Sequence, residues 1–125
     1  MSARQIYLLV CAVGIIPIAL SYGLAPQASL GFLFGLEVSA PNGVHIFRAV
    51  MGLYLALAVF WFVGFRNVAL RQAAIWSAVV FMLGLAAGRV LSLLVDGPAN
   101  WLLESYLLLE LVFGGVGVLM LMRRD

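Results

Sequence analysis

Four ionisable residues of this sequence lie inside strongly apolar stretches: Arg48, Arg89, Glu104 and Glu110. A charged side chain at the middle of a bilayer costs at least about 2.5 kcal/mol, so such residues are usually paired or face a polar cavity. Two arginines and two glutamates can neutralise one another between helices. A glutamate held among arginines can also bind a polar ligand, carry a proton or act as a general acid or base. These residues are therefore the first candidates for a functional site.

Helical spacing adds polar neighbours to the four charged residues, because side chains three, four or seven positions apart share a face of an α-helix. The predicted polar cluster comprises His45, Arg48, Arg89, Ser92, Asp96, Glu104, Tyr106 and Glu110. Three interpretations of this cluster are open. It forms ion pairs that fix the register of the helices, it forms a polar pocket that opens outward with Glu110 at its floor, or it is catalytic.

The residue types argue against a recognised catalytic or metal site. Glu104 and Glu110 are six residues apart, about 120° round a helix, whereas a two-carboxylate acid–base pair must converge. His45 is the single histidine, and a metal site needs several converging ligands. Cys11 is the single cysteine, which excludes an internal disulfide or a CxxC pair and suits plain packing. The sequence therefore predicts no catalytic residue, no metal and no cofactor.

The elements that carry the cluster are predicted to be membrane helices. The 125 residues are 66% hydrophobic and 10% charged, with a mean hydropathy of +1.17. A soluble domain is nearer half apolar and about a quarter charged, so soluble enzymes and disordered regulators are excluded. Nucleic-acid binding is excluded as well, because the chain has no lysine and no basic run longer than Arg123-Arg124.

A membrane-spanning helix needs about 20 apolar residues, which leaves room for four in this chain. We predict an all-α membrane four-helix bundle forming one domain over residues 1–125, with spans at about 6–24, 44–65, 73–95 and 101–122. Pro17 should kink the first span. Residues 25–43 hold a nine-residue apolar core at 28–36, which is too short to span and is predicted to be interfacial or re-entrant. The first span resembles a secretory signal, but its length of about 19 residues favours a retained helix.

The arginines outside the spans predict the orientation. Five of them fall on one side of the bundle, which the positive-inside rule assigns to the cytoplasm: Arg4, Arg66, Arg71, Arg123 and Arg124. Both termini are then cytoplasmic, and Glu37 and Asp96 face outward. The predicted location is the inner (plasma) membrane of a bacterium, as a multi-pass protein.

Small residues mark faces on which helices can approach closely. The candidate packing positions are Gly52, Gly84, Gly88, Gly114 and Gly117. Packing inside a single bundle is the first interpretation of these positions. A seam between copies in a homo-oligomer is the alternative.

Two segments of the sequence resemble a known family. The first is His45-Ile46-Phe47-Arg48-Ala49-Val50-Met51-Gly52, and the second is Gly88-Arg89-Val90-Leu91-Ser92 continued to Asp96-Gly97-Pro98, followed by Glu104 and Glu110. Together they resemble the bacterial domain-of-unknown-function 4345 family, over about residues 22–121. The resemblance implies a small four-span integral membrane protein. It implies no activity.

Three classes of function fit these features. The first, which we predict, is a binding or accessory protein whose outward-facing polar pocket holds a lipid-like or other amphiphilic ligand. Its expected partners are membrane lipid and an amphiphilic small molecule. The second is a small proton-coupled transporter in which Glu110 titrates. The third is an intramembrane isomerase-type enzyme that uses Glu110 with His45 or Tyr106 as acid and base.

Overall fold

The computed structural model describes residues 1–123 and folds them into α-helices. They are α1 (Ala3–Gly23), α2 (Pro26–Phe34), α3 (Pro41–Arg66), α4 (Val68–Asp96) and α5 (Trp101–Leu121). All of them except α2 are long and apolar enough to cross a membrane. The described part of the chain contains no strand. The predicted all-α fold with four membrane-spanning helices is confirmed.

Polar residues and prolines define where the helices begin. The Ser2 hydroxyl accepts a hydrogen bond from the Gln5 amide, and the Gln5 side chain accepts one from the Ser2 amide, which closes a capping box on α1. Asn67 and Asn100 accept from backbone amides in the first turns of α4 and α5. A proline occupies the first position of both α2 and α3, where its missing N–H costs nothing.

The boundary of α4 differs most from its prediction. The sequence predicts a seven-residue basic connection before the third span, but the structure reduces this connection to Asn67 alone. The reason is local bonding. Asn67 caps α4, and the Arg71 side chain donates from Nε to the Gly64 carbonyl and from Nη2 to the Phe65 carbonyl, both at 3.0 Å. The last carbonyls of α3 are therefore satisfied by the first turn of α4.

The long helices pack in the order α1, α3, α4, α5. α3 packs along both α1 and α4, and α5 packs along α4, while α1 meets α4 and α5 over shorter stretches. Glycines permit close approaches of α1 to α3 and of α3 to α4. A Cβ on Gly23 would overlap the Met51 side chain, and one on Gly64 would overlap Ala74. Trp61 is fully buried between α3 and α4, and its indole N–H donates to the Ser77 hydroxyl at 3.0 Å.

α1 and α5 contact each other near the end of the bundle that carries the N-terminus. The Tyr7 hydroxyl donates to the Phe113 carbonyl at 2.8 Å, and the two rings lie 6.5 Å apart. A Cβ on Gly117 would overlap the Tyr7 hydroxyl and lie 2.6 Å from Val79. Gly14, about two turns further along α1 than Tyr7, has open space where a Cβ would stand. The two helices are thus joined at the start of α1 and separate beyond it.

The short helix α2 closes the opposite end of the bundle. It contacts α1, α3 and α5, with Pro26 and Leu30 fully buried and Phe32 89% exposed. The Asn100 side chain donates to the Leu33 carbonyl at 3.0 Å, which ties the last turn of α2 to the cap of α5. Gly35 ends α2 in the left-handed conformation (φ +68°), which favours glycine. Nine residues cannot cross a bilayer, so α2 rests on the bundle.

Four arginines lie at the end of the bundle that carries the N-terminus. This end, here called the basic end, contains Arg4, Arg66, Arg71 and Arg123. Two of them are buried, at 8% exposure for Arg4 and 6% for Arg71. Arg4 donates to the Gln72 side chain, and Gln5 donates to the Phe65 carbonyl at 3.2 Å. Arg124, which is predicted to lie on the same side, is outside the described residues.

Candidate functional site

An ion pair between α4 and α5 lies at the centre of the candidate site. Arg89 Nε donates to Glu110 Oε1 at 2.8 Å. Glu110 is 7% exposed, and it stands nine residues into α5, roughly 14 Å along the helix. Two charges placed at this depth neutralise each other, which lowers the cost of holding either in an apolar surrounding.

Three of the four tyrosines in the chain surround this pair. Tyr22 on α1 lies close to the Arg89 guanidinium, whose carbon lies 5.7 Å from the centre of the Tyr106 ring. Tyr54 faces Arg89 and Glu110 from α3. The pair is therefore enclosed by phenol groups from α1, α3 and α5, each of which can donate or accept a hydrogen bond.

The same tyrosines belong to a chain of aromatic contacts across the bundle. Tyr22 lies 5.7 Å from Tyr54 and 6.2 Å from Phe34, measured between ring centres. Phe34, at the end of α2, lies 6.3 Å from Tyr106. Tyr54 continues the chain to Phe81 at 5.0 Å. These edge-on and stacked rings hold the tyrosines in place around the pair.

A cavity of about 140 Å³ lies beside the ion pair. Arg89 and Glu110 form the polar part of its wall, together with Tyr54 and Tyr106. The rest is apolar and comes from α1, α4 and α5: Val10, Cys11, Gly14, Ile15, Ile18, Phe81, Met82, Leu85, Leu109 and Phe113. An apolar volume of this size is close to that of an engineered cavity of about 150 Å³ that stays dry and holds benzene.

The cavity opens sideways, between α1 and α5. Its rim residues Val10, Gly14 and Leu109 are exposed on the outer surface of the bundle, and nothing lies within 4 Å of a Cβ built on Gly14. The contact between Tyr7 and Phe113 closes this gap toward the basic end. In a membrane, such an opening faces the acyl chains of lipids, not water.

Arg48 and His45 lie apart from the ion pair. The predicted cluster places Arg48 with Arg89 and Glu110, but Arg48 is exposed and its Nη1 donates to the Gly23 carbonyl at 3.0 Å. That carbonyl belongs to the last turn of α1, where an unpaired acceptor and the negative end of the helix dipole favour a cation. His45, one turn earlier on α3, is also exposed.

The remaining polar residues of the predicted cluster lie on the exposed surface of α4 and α5: Ser92, Asp96 and Glu104. The Ser92 hydroxyl donates to Asp96 Oδ2 at 2.9 Å, and both side chains are exposed. Glu104 is exposed in the first turn of α5, where the helix dipole favours an acid. Arg89, Ser92 and Glu104 face an open groove of about 350 Å³ between the two helices, separate from the cavity on the other side of Arg89.

The five glycines proposed for packing divide into two groups. Gly114 and Gly117 are buried, and a Cβ on Gly114 would lie 2.9 Å from Leu83 Cγ. Gly52, Gly84 and Gly88 are exposed and have nothing within 4 Å of the position of a Cβ. Gly84 and Gly88 border the groove described above. A homo-oligomer seam on that face stays a prediction.

Tyr22 and Tyr54 are the site residues that sequence reasoning did not single out. Aromatic residues are common in membrane helices, so neither stands out by type. The available signal was scarcity: the chain has four tyrosines, with Tyr22 near the end of α1 that adjoins α2 and Tyr54 at the middle of α3. Tyr106 was proposed from its spacing to Glu110.

The fold and this site describe a small all-α protein with four membrane-type helices and a charged pair beside an apolar cavity. A family model described as a domain of unknown function (DUF4345) matches residues 3–121. The chain therefore belongs to the DUF4345 family, as its two sequence segments suggested. Neither a curated protein nor a solved structure matches it.

Proposed function

We propose that this protein binds a membrane-embedded amphiphile in the cavity beside Arg89 and Glu110. The ligand enters from the bilayer between α1 and α5, places its polar group against the charged pair and leaves its apolar part in the gap. The observation that carries this proposal is the sideways opening of an apolar cavity whose wall contains a buried ion pair.

The position of the ion pair supports binding over a purely structural role. A pair that only fixed the register of α4 and α5 would lie at lower cost near a helix end, where water reaches it. Arg89 and Glu110 instead lie in the wall of a cavity. Pockets for small molecules are mostly apolar with a few convergent polar groups, which matches this wall.

The basic end is proposed to face the cytoplasm, which places α2 and the ion pair in the outer half of a bacterial inner membrane. The positive-inside rule supports this orientation, because arginines concentrate at the basic end while Glu37 and Asp96 lie at the other. Phe32, exposed on α2, suits contact with the lipid interface.

The proposal is tested by blocking the mouth of the cavity. Gly14→Leu adds a side chain at the rim, where a Cβ meets no other atom, and Gly52→Leu adds the same side chain at an equally open position on α3. The protein is purified in mild detergent, and bound lipids are identified by native mass spectrometry. We expect one class of amphiphile at near-stoichiometric amounts in the wild type and in Gly52→Leu, and its loss in Gly14→Leu.

Two outcomes would contradict this function. Equal retention of the amphiphile in both variants would place the lipid elsewhere on the surface. Its absence from the wild type in several detergents would remove the binding function. Thermal unfolding of both variants serves as the control for folding. Proton-linked uptake into vesicles that is lost in Glu110→Gln would favour the transporter instead.

A further inference from the structure

We infer that the ligand of this cavity carries an uncharged six-membered ring with carbonyl oxygens as its polar head. This inference rests on the proposed function and adds the chemical class of the head group. Three features of the cavity support it: the balance of charge in its wall, the supply of hydrogen-bond donors, and its size and aromatic lining.

The charge balance selects a neutral head. Arg89 and Glu110 already neutralise each other across 2.8 Å. A second anion would meet the Glu110 carboxylate, and a second cation would meet the Arg89 guanidinium. Either would enter an apolar volume without a counter-charge, which is strongly unfavourable for a buried ion. An uncharged head avoids this cost.

The donors in the wall select an acceptor on the ligand. A guanidinium has five N–H groups, more than the contact of Arg89 with Glu110 uses. The phenols of Tyr54 and Tyr106 line the same wall and supply hydroxyl donors. Carbonyl oxygens are acceptors without a charge, so they satisfy these donors and keep the site neutral.

The size and lining of the cavity select a ring. A volume of about 140 Å³ is close to that of a cavity that holds one benzene molecule. Aromatic side chains surround it on several sides, from Tyr54, Phe81, Tyr106 and Phe113. Flat rings pack well edge-on or offset against such walls. The apolar tail of the ligand then passes Gly14 and Leu109 into the bilayer.

Trp61 provides an optical probe of this site. It is fully buried, and its ring centre lies 5.6 Å from that of Phe81, a residue of the cavity wall. Trp76 and Trp101 are exposed at 53% and 75%, so Trp76→Phe and Trp101→Phe leave Trp61 as the single indole. A decyl-substituted benzoquinone is both a ring with carbonyl oxygens and a fluorescence quencher.

The test compares four probes in the detergent-solubilised full chain. Decylbenzoquinone is titrated against Trp61 fluorescence, and three molecules compete with it. Decylbenzene keeps the ring without acceptors, 4-decylbenzoate makes the head anionic, and 2-hexadecanone keeps the carbonyl without a ring. We expect saturable quenching by the quinone, and competition that is at least about tenfold weaker for each of the other three.

Variants of the wall separate the site from general partitioning into detergent. Tyr54→Phe and Tyr106→Phe keep the rings and remove the hydroxyls. Each should weaken the binding of the quinone about threefold to tenfold and leave the binding of decylbenzene unchanged. Ser105→Ala is the control, because it removes an exposed hydroxyl that donates to the Trp101 carbonyl and lies outside the cavity wall. Gly14→Leu should abolish saturable quenching, and Gly52→Leu should not.

Each competing probe overturns one part of the inference if it matches the quinone. Equal competition by 4-decylbenzoate contradicts the neutral head. Equal competition by decylbenzene contradicts the need for a carbonyl acceptor, and equal competition by 2-hexadecanone contradicts the need for a ring. Absence of saturable quenching overturns the whole ligand class. The proposed function survives all four results if an amphiphile still co-purifies with the wild type and is lost in Gly14→Leu, so the two failures are distinguishable.

Discussion

Arg89 on α4 and Glu110 on α5 form an ion pair, with Nε and Oε1 2.8 Å apart, and the same two side chains line the wall of a cavity. The pair therefore agrees with two of the interpretations of the charged residues, a structural ion pair and a polar pocket. The pair links neighbouring helices as a structural contact does, and it also presents hydrogen-bonding groups to an apolar space. Its removal should therefore affect both stability and binding.

The first prediction concerns the energetics of the pair. Glu110→Leu leaves an arginine that cannot lose its proton, and the free energy of unfolding should fall by about 3 kcal/mol. Arg89→Leu should cost less, because the remaining carboxyl can take up a proton. The double variant should recover most of the loss, since it leaves no buried charge. Unfolding in mixed detergent followed by circular dichroism measures all three, and an additive loss in the double variant would contradict the pairing.

The second prediction concerns the contact that closes the cavity toward the basic end. Gly117→Ala places a Cβ against the Tyr7 hydroxyl and 2.6 Å from Val79 Cγ2. Overpacking of this kind should lower the free energy of unfolding by about 1–3 kcal/mol. Gly115→Ala is the matched control, because a Cβ there meets nothing within 4 Å. The same unfolding measurement should find Gly115→Ala close to the wild type, and equal losses in the two variants would count against this contact.

Much of the fold follows from sequence, and part of the site does as well. Each predicted span corresponds to a helix, because long apolar runs can satisfy their backbone in a membrane only as helices. Glu110 and Arg89 could be proposed as site residues because an unpaired charge inside an apolar span is unfavourable. Arg48 was grouped with them because spacing gives the face of one helix and the approximate depth of a residue, but not the neighbouring helix toward which that face turns.

The burial of Arg4 and Arg71 was also beyond the sequence. Both were interpreted as signals of orientation at a solvated end. Each is less than a tenth exposed. The single-residue connection at Asn67 brings the first turn of α4, which carries Arg71, against the last turn of α3, and Arg4 donates from α1 to the Gln72 side chain. Such a turn depends on the bonds that Arg71 makes to the Gly64 and Phe65 carbonyls, which no local pattern specifies.

The third prediction concerns the attachment of α2. Asn100 caps α5 through its side-chain oxygen and holds the Leu33 carbonyl through its side-chain nitrogen. Asn100→Asp keeps the cap and removes the donor, whereas Asn100→Ala removes both and should cost about 1 kcal/mol of stability. Hydrogen exchange should be faster across α2 in both variants, and faster at the start of α5 in Asn100→Ala alone. Protection of α2 that equals the wild type in Asn100→Asp would show that this bond does not hold α2.

The fourth prediction concerns orientation in the membrane. In a Cys11→Ala background, Ser2→Cys labels the basic end and Ser39→Cys labels the connection between α2 and α3. If the basic end is cytoplasmic, a membrane-impermeant maleimide should modify Ser39→Cys in intact bacterial cells. Ser2→Cys should react only after lysis. The reverse pattern would invert the topology, and the cavity would then belong to the inner half of the membrane.

The last prediction separates the two intramembrane arginines. Arg89 touches Glu110 and the cavity, while Arg48 donates to the Gly23 carbonyl at the end of α1 and lies outside the cavity wall. Arg48→Met should therefore cost about 1 kcal/mol of stability, as loss of a contact to a helix end does, and should retain the co-purifying amphiphile. Arg89→Met keeps a side chain of similar volume but removes the charge, and this variant should lose the co-purifying amphiphile. Native mass spectrometry of the two variants, with circular dichroism to verify folding, makes the comparison. Loss of the amphiphile in Arg48→Met alone would move the binding site to the junction of α1 and α3.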